Sequence, residues 1–149
     1  MDSVTQSSED TEGSTPRVAL LGKWKSGRIV GSKGEGGMKI VKWQDSQVAP
    51  NPHGVDARKI YDSQHAQVIH ITLKPGESLK KHITPVDVIF YVIEGHGVIE
   101  IGDEQQEVGP DTLIDSPARI PHRWSNQGQE TLRFLVIKVP RPTESTTLL

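Results

Sequence analysis

The sequence predicts an all-β domain whose short antiparallel strands close into a barrel or pack as a sandwich. From Met38 onward, apolar and β-branched runs of about five to nine residues alternate with turn signals rich in Gly, Pro and Asn. No stretch of the domain shows the i, i+3, i+4, i+7 apolar spacing of a helix, and prolines recur too often for long helices. Strands this short must bury one face against other strands of the same domain.

The strand pattern recurs ten times along the chain, and each run is bounded by residues that favour turns. Pro75-Gly76, Gly95-His96-Gly97, Gly102-Asp103 and Gly109-Pro110 are such boundaries, because Gly and Pro supply the backbone angles that tight turns require. The predicted strands are 39–43, 57–63, 66–74, 77–84, 88–94, 97–102, 105–109, 112–116, 118–124 and 131–139.

The chain divides into three parts by composition. Residues 1–37 are predicted to be a disordered or loosely ordered extension, since the start is polar and acidic and the rest is rich in Gly. An alternative interpretation is that this extension adds an edge strand, or a strand exchanged between subunits. Residues 38–140 form the predicted barrel domain, and residues 141–149 form a C-terminal tail.

Composition excludes several classes of protein. A net charge of −2 over 149 residues gives no general attraction to nucleic acid or to an anionic membrane. No apolar run approaches the ~20 residues of a spanning helix, and the acidic, polar start does not resemble a signal peptide, so we expect a cytoplasmic protein. The chain contains no cysteine, so any metal must be held by imidazole nitrogen and oxygen.

Two segments, 75–97 and 109–126, resemble the two sequence motifs of the cupin superfamily. In the first, Gly76 is followed by five residues and His82, and Gly95 closes the motif. In the second, Pro117, His122 and Asn126 match the ending of the family pattern, with Arg119 at a position where the family has Gly. The resemblance implies a cupin-like β-barrel, also called a double-stranded β-helix or jelly roll. It also implies that His82 and His122 mark the mouth of the pocket.

The resemblance implies a metal site of which only part is present. Family members with a full site use three His and one Glu, whereas this chain has Thr84 at the second His position and Val88 at the Glu position. If the turn before Asp87 points its carboxylate inward, His82, His122 and Asp87 would form a triad suited to one divalent ion such as Fe, Mn, Ni, Zn or Cu. Strand parity argues against this, because neighbouring residues face opposite sides of a sheet.

Four further residues are candidates for the pocket lining: Thr84, His70, Trp124 and Asn126. His70 alternates with apolar residues in a strand, so it is either a third imidazole inside the barrel or a hydrogen-bonded strand residue. Trp124 is either a stacking platform for a ligand or part of the core. His53 and His65 lie in loop-like segments and carry no functional signal.

Three functions remain open from the sequence. The first is a metal-dependent cupin enzyme or binder acting on sugars, small organic acids or oxygenase substrates, as the resemblance implies. The second is a metal-free cupin that binds a small molecule with His82 and His122 as hydrogen-bonding or acid–base groups. The third is a dimerisation or interaction scaffold whose surface is formed by Phe90, Tyr91, Trp43 and the N-terminal extension. We expect a small-molecule ligand and a homodimer, and neither a nucleic-acid nor a membrane partner.

Overall fold

The computed structural model describes residues 36–149, which form two antiparallel sheets of five strands each. This confirms the predicted all-β class. No helix in this part of the chain is long and apolar enough to cross a membrane. The strands are β1 (Asp56–Asp62), β2 (Gln67–Leu73), β3 (His82–Ile83), β4 (Val88–Glu94), β5 (Gly97–Ile101), β6 (Glu104–Val108), β7 (Leu113–Ser116), β8 (His122–Ser125), β9 (Leu132–Lys138) and β10 (Thr147–Leu148). The first sheet has the order β1-β2-β9-β4-β7, and the second has the order β10-β3-β8-β5-β6.

The core lies between the two sheets because alternate residues of the long strands are apolar and point inward. Phe90 on β4 and Phe134 on β9 are almost completely buried, and so is Trp124 on β8 of the other sheet. The Trp124 ring stacks on Phe134 with a centroid separation of 4.4 Å, and Phe90 meets both rings edge-on. Each such side chain contributes roughly 1.5–3 kcal/mol or more by leaving water. Phe90 therefore belongs to the core rather than to an interaction face.

The strand register defines the end of the barrel at which polar side chains enter the core. Gln67 on β2 pairs with Lys138 on β9, which pairs with Val88 on β4, which in turn pairs with Ser116 on β7. Gln67, Val88 and Ser116 are buried and Lys138 is half-buried. Because residues two apart share a face, Lys138 continues the inward row of alternate β9 residues that begins at Leu132.

The run 39–43 was predicted as a strand and does not form one. Residues 37–42 have no regular structure, and Trp43–Asp45 form a single 3-10 turn. Arg58 on β1 donates hydrogen bonds to the backbone carbonyls of Trp43, Gln44 and Ser46. These three carbonyls therefore accept hydrogen bonds from a side chain and not from the N–H groups of a neighbouring strand.

The C-terminal end of the described chain belongs to a sheet. Apart from Gly36 and Gly37, the predicted extension 1–37 lies outside the described residues. The predicted tail after residue 140 contributes β10, in which Thr147 pairs with Ile83 and Leu148 pairs with His82. The barrel therefore includes the end of the chain, which forms the sheet edge beside His82.

Candidate functional site

His82 and His122 are direct cross-strand partners on β3 and β8. Both rings are buried, with 8% and 1% of their surface exposed, so His82 is the more accessible of the two. Their Nε2 atoms lie 3.0 Å apart, and the rings meet edge-to-face with centroids 4.5 Å apart. The two histidines that the motifs single out therefore form one hydrogen-bonded pair.

A turn before β8 positions His122. His122 follows a turn in which Arg119 adopts a left-handed backbone with φ of 64°, at the position where the family pattern has Gly. The backbone N–H of Arg119 donates to the carbonyl of Thr84, which ties this turn to the end of β3. Thr84 is itself buried, with its hydroxyl 3.3 Å from Nε2 of His122, so it joins the cluster.

The outer nitrogens of the two rings determine where the protons lie. Nδ1 of His82 is 2.6 Å from the carbonyl oxygen of Lys80, which can only accept, so this Nδ1 carries a proton. In the neutral ring the Nε2 of His82 is then an acceptor, and His122 donates its Nε2–H to it. The Nδ1 of His122 is left as an acceptor for the hydroxyl of Ser116, which is 2.7 Å away and fully buried. A continuous chain of hydrogen bonds runs from Ser116 to Lys80.

Burial keeps both imidazoles neutral. Desolvation is the main cause that lowers the pKa of His122, to about 3, and the neighbouring His82, Lys138 and His53 lower it further. The pKa of His82 is also lowered, again mainly by burial. The lowered pKa values therefore agree with the hydrogen-bond chain, in which both rings are neutral and a single proton lies between their Nε2 atoms.

His53 belongs to the same cluster, although its position in a loop-like segment carried no functional signal. Its ring centroid lies 4.8 Å from that of His82, and its Nδ1 accepts a 2.9 Å hydrogen bond from the backbone N–H of Lys80. The loop that carries it is braced by Asn51, whose side chain bonds the backbone of Ala49, His53 and Val55. Burial lowers the pKa of His53 to about 4. No strand periodicity marks this loop, so only the folded chain reveals the contact.

Lys138, at the end of the inward row of β9 in the opposite sheet, carries a charge that acts on these rings. Its positive charge lowers the pKa of His53, His82 and His122, so it lies within electrostatic reach of all three. Its own pKa is lowered by burial and by the charge of Lys59. Strand parity could have identified it, since it continues the row Leu132, Phe134 and Val136.

The structure does not bring Asp87 or His70 to this cluster. Asp87 is exposed and its carboxylate accepts a 2.8 Å hydrogen bond from the backbone N–H of Ala118. His70 lies on the outer face of its sheet, opposite the inward-facing Ile71, where its ring stacks on Trp43 at 4.2 Å. Both placements follow from strand parity, because Val88 and Ile71 occupy the inward positions beside them.

Trp124 and Asn126 line the interior without reaching the histidine pair. Trp124 packs within the aromatic core, and its indole N–H has no hydrogen-bond partner among the described residues. The Asn126 side chain is a structural brace, because its amide donates to the carbonyls of Leu73 and Glu130 and its oxygen accepts from Gly128 N–H.

The donor set does not supply a complete metal shell. Between residues 36 and 149, no group of three or more His, Asp or Glu side chains is arranged to hold a metal ion. His82 and His122 offer two converging nitrogens, but a carboxylate that would complete the triad with them is not in place. The two Nε2 atoms are hydrogen-bonded to each other instead.

Comparison with known proteins identifies the family. Residues 69–138 match the family model described as the cupin domain, and the chain is a small cupin-domain protein. It is 26% identical over 121 residues to the uncharacterized protein MJ1618 of Methanocaldococcus jannaschii, covering 69% of this chain and 89% of that one.

Two solved structures show the same fold at lower identity. One is an RmlC-like cupin with a double-stranded β-helix fold, MJ0764 of M. jannaschii, with 22% identity and a TM-score of 0.58. That match covers 70% of this chain and 94% of the other. The second is the polyketide cyclase RemF of Streptomyces resistomycificus, with 24% identity, a TM-score of 0.66 and coverage of 75% and 85%. At these identities the likenesses establish the double-stranded β-helix fold alone.

Proposed function

We propose that this protein binds a small organic molecule at the barrel mouth, with His82 and His122 as a neutral hydrogen-bonding pair that can also move a proton. The observation that carries the proposal is the hydrogen-bond chain from Ser116 through both rings to Lys80. Each ring is fixed by its outer nitrogen, which leaves the two Nε2 atoms as the groups available to a ligand.

The two Nε2 atoms have complementary roles. In the neutral pair, Nε2 of His82 accepts and Nε2 of His122 donates, so a ligand group with both a donor and an acceptor can replace their mutual hydrogen bond. A bound hydroxyl or carboxyl group can give its proton to Nε2 of His82, which then carries protons on both nitrogens with Nδ1–H still bonded to the carbonyl of Lys80, while His122 donates its Nε2–H to the anion that remains. The pair is thus built to exchange a proton with a bound hydroxyl or carboxyl group.

A ligand screen on the metal-free protein tests this proposal. A panel of monosaccharides and small organic acids is added while the imidazole ring signals are followed by NMR. We expect a member of the panel to shift the signals of His82 and His122 in a saturable way. The double variant His82→Ala, His122→Ala should lose that binding, and His96→Ala, which changes an exposed histidine in a turn, should keep it. Binding that survives the double variant would contradict the proposal.

A second candidate is a divalent metal ion bound by the same two nitrogens. It is favoured by the 3.0 Å separation of the Nε2 atoms and by the hydrogen bonds that orient both rings through Nδ1, as outer partners orient metal-ligating histidines. The test is elemental analysis of protein purified without a His tag, followed by titration with Mn, Fe, Ni, Zn and Cu. Metal bound at micromolar levels and lost in His122→Ala would support this candidate, and absence of binding would remove it.

A further inference from the structure

Residues 141–149, which we call the strap, run from the first sheet to the strand that carries His82. The chain leaves β9 after Lys138, which pairs with Gln67 and Val88 at the end of the sheet where polar side chains enter the core. It returns as β10, which lies beside β3 in the second sheet. The strap therefore bridges the two sheets next to the imidazole pair and forms one side of the barrel mouth.

The imidazole pair is covered, so a ligand reaches it only when a covering element moves. His82 and His122 are 8% and 1% exposed, and their Nε2 atoms are hydrogen-bonded to each other. One cover is the loop of His53, whose ring centroid lies 4.8 Å from that of His82. The other is β10, in which Leu148 is the direct cross-strand partner of His82. The cover that is held more weakly determines access to the pair.

The loop of His53 is anchored on the core. The side chain of Asn51 forms four hydrogen bonds with the backbone of this loop. The N–H of Ala49 donates to the carbonyl of Ala57 on β1, and Val55 is buried in the hydrophobic core. Movement of the loop would break these contacts together, so this cover is held firmly.

The side chains of the strap, in contrast, make solvent-exposed contacts. The side chain of Arg141 donates to the carboxylate of Asp62 at 2.8 Å, and Arg119 and Glu144 form a second ion pair at 3.9 Å. Ion pairs on the surface contribute little to stability because water screens them. These contacts therefore hold the strap only weakly.

The backbone of the strap is attached near its two ends. At one end the N–H of Arg141 donates to the carbonyl of His65. At the other end β10 pairs two exposed residues with β3, and the N–H of Leu149 donates to the carbonyl of Lys81. Between these ends, residues 142–146 form no backbone hydrogen bond with the rest of residues 36–149. Segments with so few buried contacts open locally while the rest of a domain stays folded.

We propose that the strap is a gate that opens locally and admits a ligand to His82 and His122. This inference rests on the proposed function, because the site that the strap controls is the imidazole pair. Opening breaks the ion pair between Arg141 and Asp62 and the pairing of β10 with β3, while both sheets stay folded. A two-state equilibrium of this kind leaves the open form at roughly 0.1–10% of the molecules.

Chemical modification of the histidines measures the opening without any ligand. Diethyl pyrocarbonate reacts with an unprotonated imidazole nitrogen, which in His82 is the covered Nε2, and peptide mass spectrometry gives the rate at each histidine. The strap is locked by a disulfide between Ile83→Cys and Thr147→Cys, which are direct cross-strand partners in a chain without other cysteines. Such partners have Cα atoms about 4.5–5.5 Å apart, within the span of a disulfide. The matched control, Ile83→Ser with Thr147→Ser, cannot be cross-linked.

The lock and its removal should change the rate at His82 in opposite directions. We expect the oxidised lock to slow modification of His82 by about tenfold or more relative to the serine control, and deletion of residues 145–149 to speed it by about tenfold to a thousandfold. His70, buried under Trp43 on the outer face of the first sheet, and the exposed His96 should react at unchanged rates. The lock keeps the inference falsifiable if the deletion variant does not fold.

The outcomes separate the gate from the proposed function. Equal rates at His82 in the locked and serine variants would refute the gate, and so would a parallel change at His70, which would report loosening of the whole domain. If the lock protects His82 but no molecule of the ligand panel binds, the gate stands and the proposed function fails. If a panel molecule binds equally fast to the locked and serine variants, the proposed function stands and the gate is refuted.

Discussion

Ser116→Ala removes the hydroxyl that fixes the His122 ring. The 2.7 Å hydrogen bond from Ser116 to Nδ1 of His122 lies between two groups that are 0% and 1% exposed, so water cannot replace it. Without the hydroxyl, Nδ1 stays unpaired in one tautomer, and in the other the Nε2 lone pairs of His82 and His122 oppose each other. We therefore expect a loss of about 2 kcal/mol in the free energy of unfolding, or roughly 8 °C in Tm for a domain of this size.

Urea unfolding followed by circular dichroism measures this loss directly. The matched control is Ser125→Ala, a half-buried serine on β8 whose hydroxyl only accepts from the exposed side chain of Gln127. That variant should stay within about 0.5 kcal/mol of the unaltered protein. An equal loss in both variants, or no loss in Ser116→Ala, would show that the Ser116–His122 bond is not a structural element of the site.

Three further predictions follow from the same structure. The free energy of unfolding should fall as pH decreases from about 6.5 towards 4. In the folded protein, burial lowers the pKa to about 3 for His122 and to about 4 for His70, so in this pH range the unfolded chain binds protons that the folded chain does not. Urea unfolding at about pH 7 and about pH 5 tests this, and equal stabilities at the two pH values would refute it. Trp43→Ala should raise the pKa of His70 from about 4 towards its ordinary value by uncovering the ring, as an NMR titration would show; an unchanged pKa would mean that Trp43 does not cover it. Arg119→Gly should be about 1 kcal/mol more stable than Arg119→Ala, since φ is 64° there; equal stabilities would contradict a left-handed backbone.

The sequence predicted most of the strands because their side chains alternate and their turns are marked. Runs such as 88–94 and 131–139 correspond closely to β4 and β9. The run 39–43 also contains β-branched and aromatic residues, but it lies where Arg58 donates hydrogen bonds to the backbone carbonyls of Trp43, Gln44 and Ser46. Composition does not reveal whether a partner strand is available, so this difference depends on tertiary structure.

Residues of the site could be predicted from the sequence only where a family motif or the alternation of a strand marks their positions. The His82 and His122 positions came from motif spacing, and parity alone was enough to doubt Asp87. Lys138 could have been found by extending the inward row of β9 by two residues. His53 could not, because it reaches His82 from a loop through one backbone hydrogen bond with Lys80. Such contacts depend on how a loop folds over the barrel mouth.

The positions of the protons in the His82–His122 pair can be observed directly. A long-range ¹H–¹⁵N NMR spectrum of the imidazoles at neutral pH reports which nitrogen of each ring carries a proton. We predict two neutral rings in the metal-free protein, with His82 protonated on Nδ1 and His122 protonated on Nε2. A charged imidazolium in either ring, or His122 protonated on Nδ1 in the absence of any ligand, would contradict the hydrogen-bond chain on which the proposed function depends.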